Sequence, residues 1–215
     1  MALRLPPYQP LPAPSDDLLE VPLAALQPTQ MCVGMAEIRS RQVDFAADDP
    51  KQRRRYLKRK PTPLVRSASG ELWMVDRHHR LRALLELDPS ATAFGYVVLQ
   101  LEVSERHAVL EQLHQRGWLY LYDGRGLGPL HPSALPSSLA GTQDDPYRSL
   151  VWKLKREGLV AAAPLIPFHE FRWGAWLRSR NLPPFSSERL EPALPAARAL
   201  VRSQAASHLD GWIPA

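Results

Sequence analysis

The sequence predicts an α+β protein: a mixed sheet with helices, and a helical C-terminal half packed on it. Three observations carry this. Stretches of strand length and helix-period stretches follow in the order strand, helices, hairpin, helix, strand. Proline is frequent, 22 of 215 residues, so elements are short and their connections stiff. The apolar share of 45% and charged share of 23% are those of a chain that buries a core, and no internal repeat is present.

Residues 1–17 hold Pro6, Pro7, Pro10, Pro12 and Pro14 with little periodic apolar content, which reads as an extended proline-rich arm. The α+β core, 18–103, opens with LLEVPLAAL, an edge strand because Pro22 offers no N–H to a ladder. In MAEIRSRQVDF, Ile38, Gln42 and Phe45 fall at helical spacing. Asp49-Pro50 is an N-cap followed by proline at the first helical position, so KQRRRYLKRK forms a short helix that ends before Pro61. TPLVRSA and ELWMVD flank Ser69-Gly70 and form a hairpin. The period then changes: Leu81, Leu84 and Leu85 share a helical face, which places a helix start within about a residue of Asp76. FGYVVLQLE is the next strand.

A helical extension, 104–180, begins with SERHAVLEQLHQRG, where Ser104 is the N-cap and Gly117 lies past the end. YDGRGLGPLHPSALP is a loop, and Gly124, Gly126 and Gly128 in it lack the strand-to-helix context of a phosphate loop. Asp145-Pro146 opens a helix closed by Gly158, and FHEFRWGAWLRS is a further amphipathic helix. Residues 181–215 are a proline-rich linker and a final helix from Ala196 to Leu209.

The net charge of +5 comes from one place. Lys51, Arg53, Arg54, Arg55, Lys58, Arg59 and Lys60 stand without an acid among them, and the rest of the chain is slightly acidic. Arg53 to Arg55 and Lys58 to Lys60 are therefore the candidate nucleic-acid patch, with a solvated helix face as the plainer reading. The single cysteine, Cys32, excludes an intramolecular disulfide and thiolate zinc clusters and suits a reducing compartment. No run of 18 apolar residues occurs, and proline interrupts the first ten residues, so the expectation is a soluble cytoplasmic protein with no membrane partner.

The residues that could carry chemistry centre on Asp76-Arg77-His78-His79-Arg80, where an apolar strand gives way to a helix. A helix N-terminus offers unpaired N–H groups and partial positive charge to an anion. Arg80 adds a fork, and His78 or His79 could donate or exchange a proton near neutral pH. Asp76 would be a metal ligand, a general base or the helix cap. The bland alternative is a capped surface helix with two solvated histidines. Thr29 and Gln30 could contact a ligand or close a turn. Asp145 and Arg148 at one helix start, with Glu170 and Arg172 among Phe168, Phe171, Trp173 and Trp176, are a candidate cleft or an ion pair beside an aromatic stripe. His107 and His114, two helical turns apart, lack a third metal ligand.

VPLAAL, PTPLVRSASGELWMVDRHHRLRAL and YVVLQLE resemble the ParB/sulfiredoxin fold, whose signature G-x-H/R-R-x-x-A opens a helix and holds nucleotide phosphates. Here it reads Arg77-His78-His79-Arg80-Leu81-Arg82-Ala83. The ParB-like nuclease family is a closer likeness: its Asp-x-His-His motif is similar to Asp76, His78 and His79, and LQPTQMCVG, DDPYRSL and HEFRW follow its order. The resemblance implies Asp76, His78 and His79 as catalytic residues and Arg80, Arg77, Thr29 and Gln30 as phosphate or nucleotide ligands. It implies an enzyme acting on phosphate esters, with a nucleotide or nucleic acid as partner and Mg²⁺ or Mn²⁺ with a nucleotide as the candidate cofactor. The alternative is a non-catalytic nucleic-acid or nucleotide-binding module that uses the 51–60 patch. Three features depart from the related motifs. His78 stands where sulfiredoxin chemistry requires cysteine, Arg77 stands where glycine is usual, and no helix-turn-helix region is evident.

Overall fold

The computed structural model describes residues 3–214. Its centre is a five-stranded mixed sheet of β1 (Leu19–Pro22), β2 (Leu26–Pro28), β4 (Thr62–Arg66), β5 (Leu72–Met74) and β6 (Thr92–Gln100), in the order β1-β6-β4-β5-β2. β6 runs antiparallel to β1 and parallel to β4, β5 is antiparallel to β4, and β2 is parallel to β5. Pro22 sits on the edge strand β1, as a residue without an N–H must. Strand alternation sorts the side chains: Leu64 and Met74 face one side, Val65 and Trp73 the other.

The first face is covered by α1 (Met35–Ala47), α2 (Pro50–Arg59) and α3 (His78–Leu87), through Ile38, Phe45, Leu57, Leu81 and Leu84. On α1, Ile38 and Phe45 are seven residues apart and both buried, while Gln42 is only partly buried. Asp49 caps α2 with a reciprocal box: its carboxylate accepts the Gln52 N–H and the Gln52 amide oxygen accepts the Asp49 N–H. The second face is covered by α4 (Arg106–Gln115), through Val109, Leu110 and Leu113. Its cap is Glu105, without a side-chain bond, rather than Ser104; Gly117, with φ +70°, closes it.

A short parallel pair, β3 (Cys32–Val33) with β7 (Gln143–Asp144), ties the sheet half to the helices that follow. These are α5 (Pro146–Arg156), α6 (His169–Arg178) and α7 (Leu194–Arg202), which share a core of Leu150, Leu154, Trp173, Leu177 and Ala197. The last helix starts and stops earlier than the 196–209 span predicted. Ser203 turns to an extended backbone and gives its hydroxyl to the Leu200 carbonyl at 2.7 Å, and a 3₁₀ turn, Gln204–Ala206, follows. No helix among the described residues is long and apolar enough to cross a membrane.

The described part of the arm, residues 3–17, forms no regular element yet is docked. The Gln9 N–H donates to the Arg116 carbonyl at 2.9 Å, the Trp118 indole to the Gln9 carbonyl at 2.7 Å, and the Arg4 N–H to the Tyr122 hydroxyl at 2.6 Å. Leu3 and Leu5 pack against Cys32, Tyr120, Tyr122 and Phe171.

The sheet centre gives a test. Gly95 pairs with both Leu19 and Thr62, and a Cβ there would run into the Leu64 side chain and lie 3.0 Å from the Thr62 carbonyl. Gly95→Ala is expected to lower stability by about 1–3 kcal/mol in urea unfolding, as overpacking does; an unchanged midpoint would mean that the strands separate freely there.

Candidate functional site

The turn between β5 and α3 is made by one unusual residue. Arg77 lies in the left-handed region at φ +76°, the conformation that glycine adopts freely, and this bend converts a strand into a helix across three residues. The helix begins at His78, two residues after Asp76, and Arg77 is its cap with no side-chain acceptor. Asp76 therefore does not cap α3. Its carboxylate instead takes the Arg77 N–H at 2.6 Å and lies 3.1 Å from the Arg77 guanidinium. Both side chains are open to solvent, 51% and 39% exposed.

His78 is buried and His79 largely so, contrary to a solvated surface pair. His78 is 1% exposed, and its Nε2 accepts the Thr29 N–H at 3.0 Å. His79 Nε2 accepts the Gly34 N–H at 2.8 Å. An Nε2 that accepts leaves the proton on Nδ1, so both rings are neutral. Burial lowers His78 from 6.5 to about 4 and, with Arg148 adding to it, His79 to about 3. Proton exchange near neutral pH is thus not a property of this pair. They fasten the loops at Thr29 and Gly34 to α3.

The Thr29 hydroxyl donates to the Met74 carbonyl at 2.8 Å, which commits it to the fold rather than to a ligand. Gln30 is buried and bridges Tyr120, with its amide oxygen unpartnered. Arg80 donates to the Lys60 carbonyl at 3.0 Å and lies over the Tyr56 ring, so its fork is turned away from the α3 N-terminus. Of the residues expected to meet a phosphate, only Arg77 presents its side chain to solvent beside Asp76.

Behind His79 lies a charge cluster that the sequence did not single out. The Glu37 carboxylate receives Arg148 at 2.9 Å and Arg41 at 2.6 Å, and lies 4.0 Å from His79 Nε2. Burial pushes the Glu37 carboxyl up, but the guanidinium charges of Arg148 and Arg41 outweigh it and hold the group well below the usual carboxylate range. Glu37 was missed because the Glu37–Arg41 spacing is that of an ordinary surface pair on a helix; only α5, packed over α1, buries it.

Asp145 caps α5 through the Tyr147 and Arg148 N–H groups and pairs with Arg178 at 2.6 Å. Burial raises its carboxyl, against the pull of Arg178. Glu170 pairs with Lys155, not with Arg172, whose Nε donates to the Pro167 carbonyl at 3.0 Å. Glu170 and Arg172 are two apart on α6 and so diverge. Asp145, Arg148, Glu170 and Arg172 therefore line no common cleft: Arg148 faces Glu37, Asp145 faces Arg178, and Arg172 faces another cavity.

On α2, Arg54 pairs with Glu20 and Arg53 donates to the Phe45 carbonyl at 2.6 Å. Arg55, Lys58, Arg59 and Lys60 are exposed and their side chains make no ion pair or hydrogen bond among the described residues. No group of three His, Cys, Asp or Glu side chains comes together as a metal site among the described residues. Asp76 is the one carboxylate at the turn, so the residues present do not form a Mg²⁺ or Mn²⁺ site and no step is drawn through one.

The arm passes close to this turn. The Tyr8 hydroxyl is pushed up to about 12 by burial and by the negative field of Asp76, and the Tyr8 ring meets Phe168 edge-on at 6.4 Å. Tyr8 carries no functional signal in the sequence, since it stands alone among prolines.

A mixed sheet whose inner strand ends in a left-handed turn at an Asp-x-His-His helix start defines a ParB-like α+β class. The chain belongs to the family described as "Putative ParB-like nuclease", whose model matches residues 19–179. It is similar to the crystal structure of protein Atu1540 from Agrobacterium tumefaciens, at 26% identity and a TM-score of 0.79 over 92% of this chain and 98% of that one. No curated protein matches the chain.

Two outcomes follow from the buried groups. Unfolding releases His78 and His79 to take up protons below about pH 6.5, which the folded chain refuses until about pH 4 and 3. Their contribution to stability is complete above pH 6.5 and is lost as the pH falls toward 4, at up to about 1.4 kcal/mol per unit for each ring. Urea midpoints measured from pH 7 to 4.5 should fall accordingly, and His78→Asn should flatten the profile. Glu37→Gln strips the charge that faces Arg148 and is expected to cost on the order of 3–5 kcal/mol, read in the same assay.

Proposed function

We propose that the protein is an enzyme acting on phosphate esters of a nucleotide or nucleic acid, with the anion held at the first turn of α3 and Asp76 as general base. The observation that carries this is the opening of α3. Arg77 starts the helix without a side-chain cap, so among the described residues no side chain accepts the first-turn N–H groups of His78, His79 and Arg80, beside an exposed carboxylate and an exposed guanidinium. Membership of the ParB-like nuclease family supports the same substrate class.

In this reading the backbone donors bind the phosphoryl oxygens and Arg77 turns from Asp76 to clamp them. Asp76 accepts a proton from the attacking water as its oxygen bonds to phosphorus. The bond from phosphorus to the leaving oxygen breaks, and solvent protonates that oxygen. His78 and His79 are positioning residues, because their Nε2 atoms hold the loops at Thr29 and Gly34. The reducing cytoplasm is the compartment this reading assigns, in keeping with a lone buried thiol.

A second reading, a binding module without turnover, draws on the unpaired bases of α2. Arg55, Lys58, Arg59 and Lys60 form a solvent-facing positive strip that suits a phosphate backbone.

Asp76→Asn should reduce phosphodiester hydrolysis by about 10²-fold or more while changing nucleotide affinity little, because the carboxylate acts on the attacking water. Arg77→Ala should weaken binding about tenfold. Steady-state rates and calorimetric binding measure both, and an unchanged rate in Asp76→Asn removes the general base. Replacing Arg55, Lys58 and Arg59 with Gln should reduce the slope of log affinity for duplex DNA against log salt by about 0.9 per charge removed. A wild-type protein with no salt-sensitive binding would make the strip a solvated face.

A further inference from the structure

A cavity of about 420 Å³ lies between α6 and the C-terminal segment, and none of the Asp76 turn residues lines it. Its wall is one stripe of α6 continued past the helix end: Arg172, Trp176 and Arg180 recur every fourth residue, with His169 one turn earlier. His208 and Leu209 close the opposite side.

The charge of this cavity is unbalanced. Arg41, Arg82, Arg148, Arg178 and Arg198 each meet a carboxylate, whereas Arg172 and Arg180 meet none among the described residues. Asp210 also lines the wall, and it acts through its backbone: the carbonyl receives His169 Nε2 at 2.7 Å and Trp173 Nε1 at 2.8 Å. Its carboxylate makes no ion pair among the described residues. The Arg180 guanidinium lies over the Trp176 ring at 4.4 Å, which fixes the fork in place.

Polar atoms without partners also gather here. Among the described residues, Trp176 Nε1, Arg180 Nε and His169 Nδ1 are buried and unbonded, and all three residues line this one cavity. Such groups each cost stability unless something satisfies them. Because His169 Nε2 donates to a carbonyl, its Nδ1 is an acceptor, while the Trp176 and Arg180 atoms are donors. The set asks for anionic oxygens on one part of a ligand and an N–H or O–H on another. Trp176, His208 and Leu209 give the rest of the lining an apolar and aromatic character, which suits the ring of an organic molecule, and the volume fits a molecule of that kind.

We infer that this cavity is a second ligand site, distinct from the α3 turn, which takes a small planar organic anion carrying a hydrogen-bond donor. The inference does not rest on the reading of Asp76.

Calorimetry on the full chain, with AMP, 4-hydroxybenzoate and inorganic phosphate as probes, tests it. At least one of the two ring-bearing anions should bind, inorganic phosphate should bind at least tenfold more weakly, and which ring compound prevails separates a phosphate source from a carboxylate one. Arg172→Gln and Arg180→Gln should each weaken that binding tenfold or more, and Arg180→Lys, which keeps charge without the fork, should weaken it less than Arg180→Gln. Arg202→Gln, at an exposed residue of α7 that does not line this cavity, should leave it within twofold. Melting temperatures of the variants close to the wild type show that the loss is local; Arg172, half-exposed, keeps the test valid if Arg180→Gln fails to fold. The inference is overturned if neither ring compound binds at millimolar concentration, if both Gln variants bind normally, or if Arg77→Ala abolishes binding while they do not.

Discussion

The Glu37–Arg148 pair is the contact on which the rest of the structure depends. Glu37 comes from the first helix of the sheet half and Arg148 from the first turn of α5, and each is nearly excluded from water, with side chains 6% and 7% exposed. Two charges so placed are tolerable only together, and each is further held: Glu37 by Arg41, Arg148 by the ring face of Phe171 at 5.6 Å. His79 touches the same carboxylate, and through its bond to Gly34 it fixes the loop from which α1 begins. The helical half is therefore not an appendage to the sheet but the lid of a buried polar cluster whose other wall is the Asp-x-His-His helix.

That arrangement divides the labour of the motif. Its two histidines face inward and set the geometry of the loops at Thr29 and Gly34, whereas Asp76 and Arg77 face outward to solvent. The left-handed backbone at Arg77 is the hinge between these roles. Glycine would make this conformation at lower cost, so a non-glycine residue here keeps about 1–2 kcal/mol of backbone penalty in exchange for a cation next to Asp76.

The sheet, its hairpin and the helix after Asp76 were legible because each is a local pattern: alternation in the strands, a Ser-Gly turn, an Asp-Pro cap, leucines at helical spacing. The family was legible from four short motifs in order. What the sequence hid is what depends on contacts distant along the chain. A Glu-x-x-x-Arg pair looks alike on a surface and in a core, and only α5 makes Glu37 buried. For the same reason Thr29 and Arg80 read as ligand donors until the Met74 and Lys60 carbonyls were seen to occupy them. Arg77 was the informative exception: its place where related motifs have glycine agrees with the positive φ found there.

The separation of Glu37 and Arg148, 111 residues along the chain, also bears on how the molecule assembles. Closing so long a loop is entropically slow, and the parallel pairing of β3 with β7 spans a similar distance, so both belong to the late part of folding. Until α5 docks, Glu37 has no Arg148 to face and must keep its water. The first hundred residues cannot supply the partner that Glu37 needs for burial; that partner comes only with the last third of the chain.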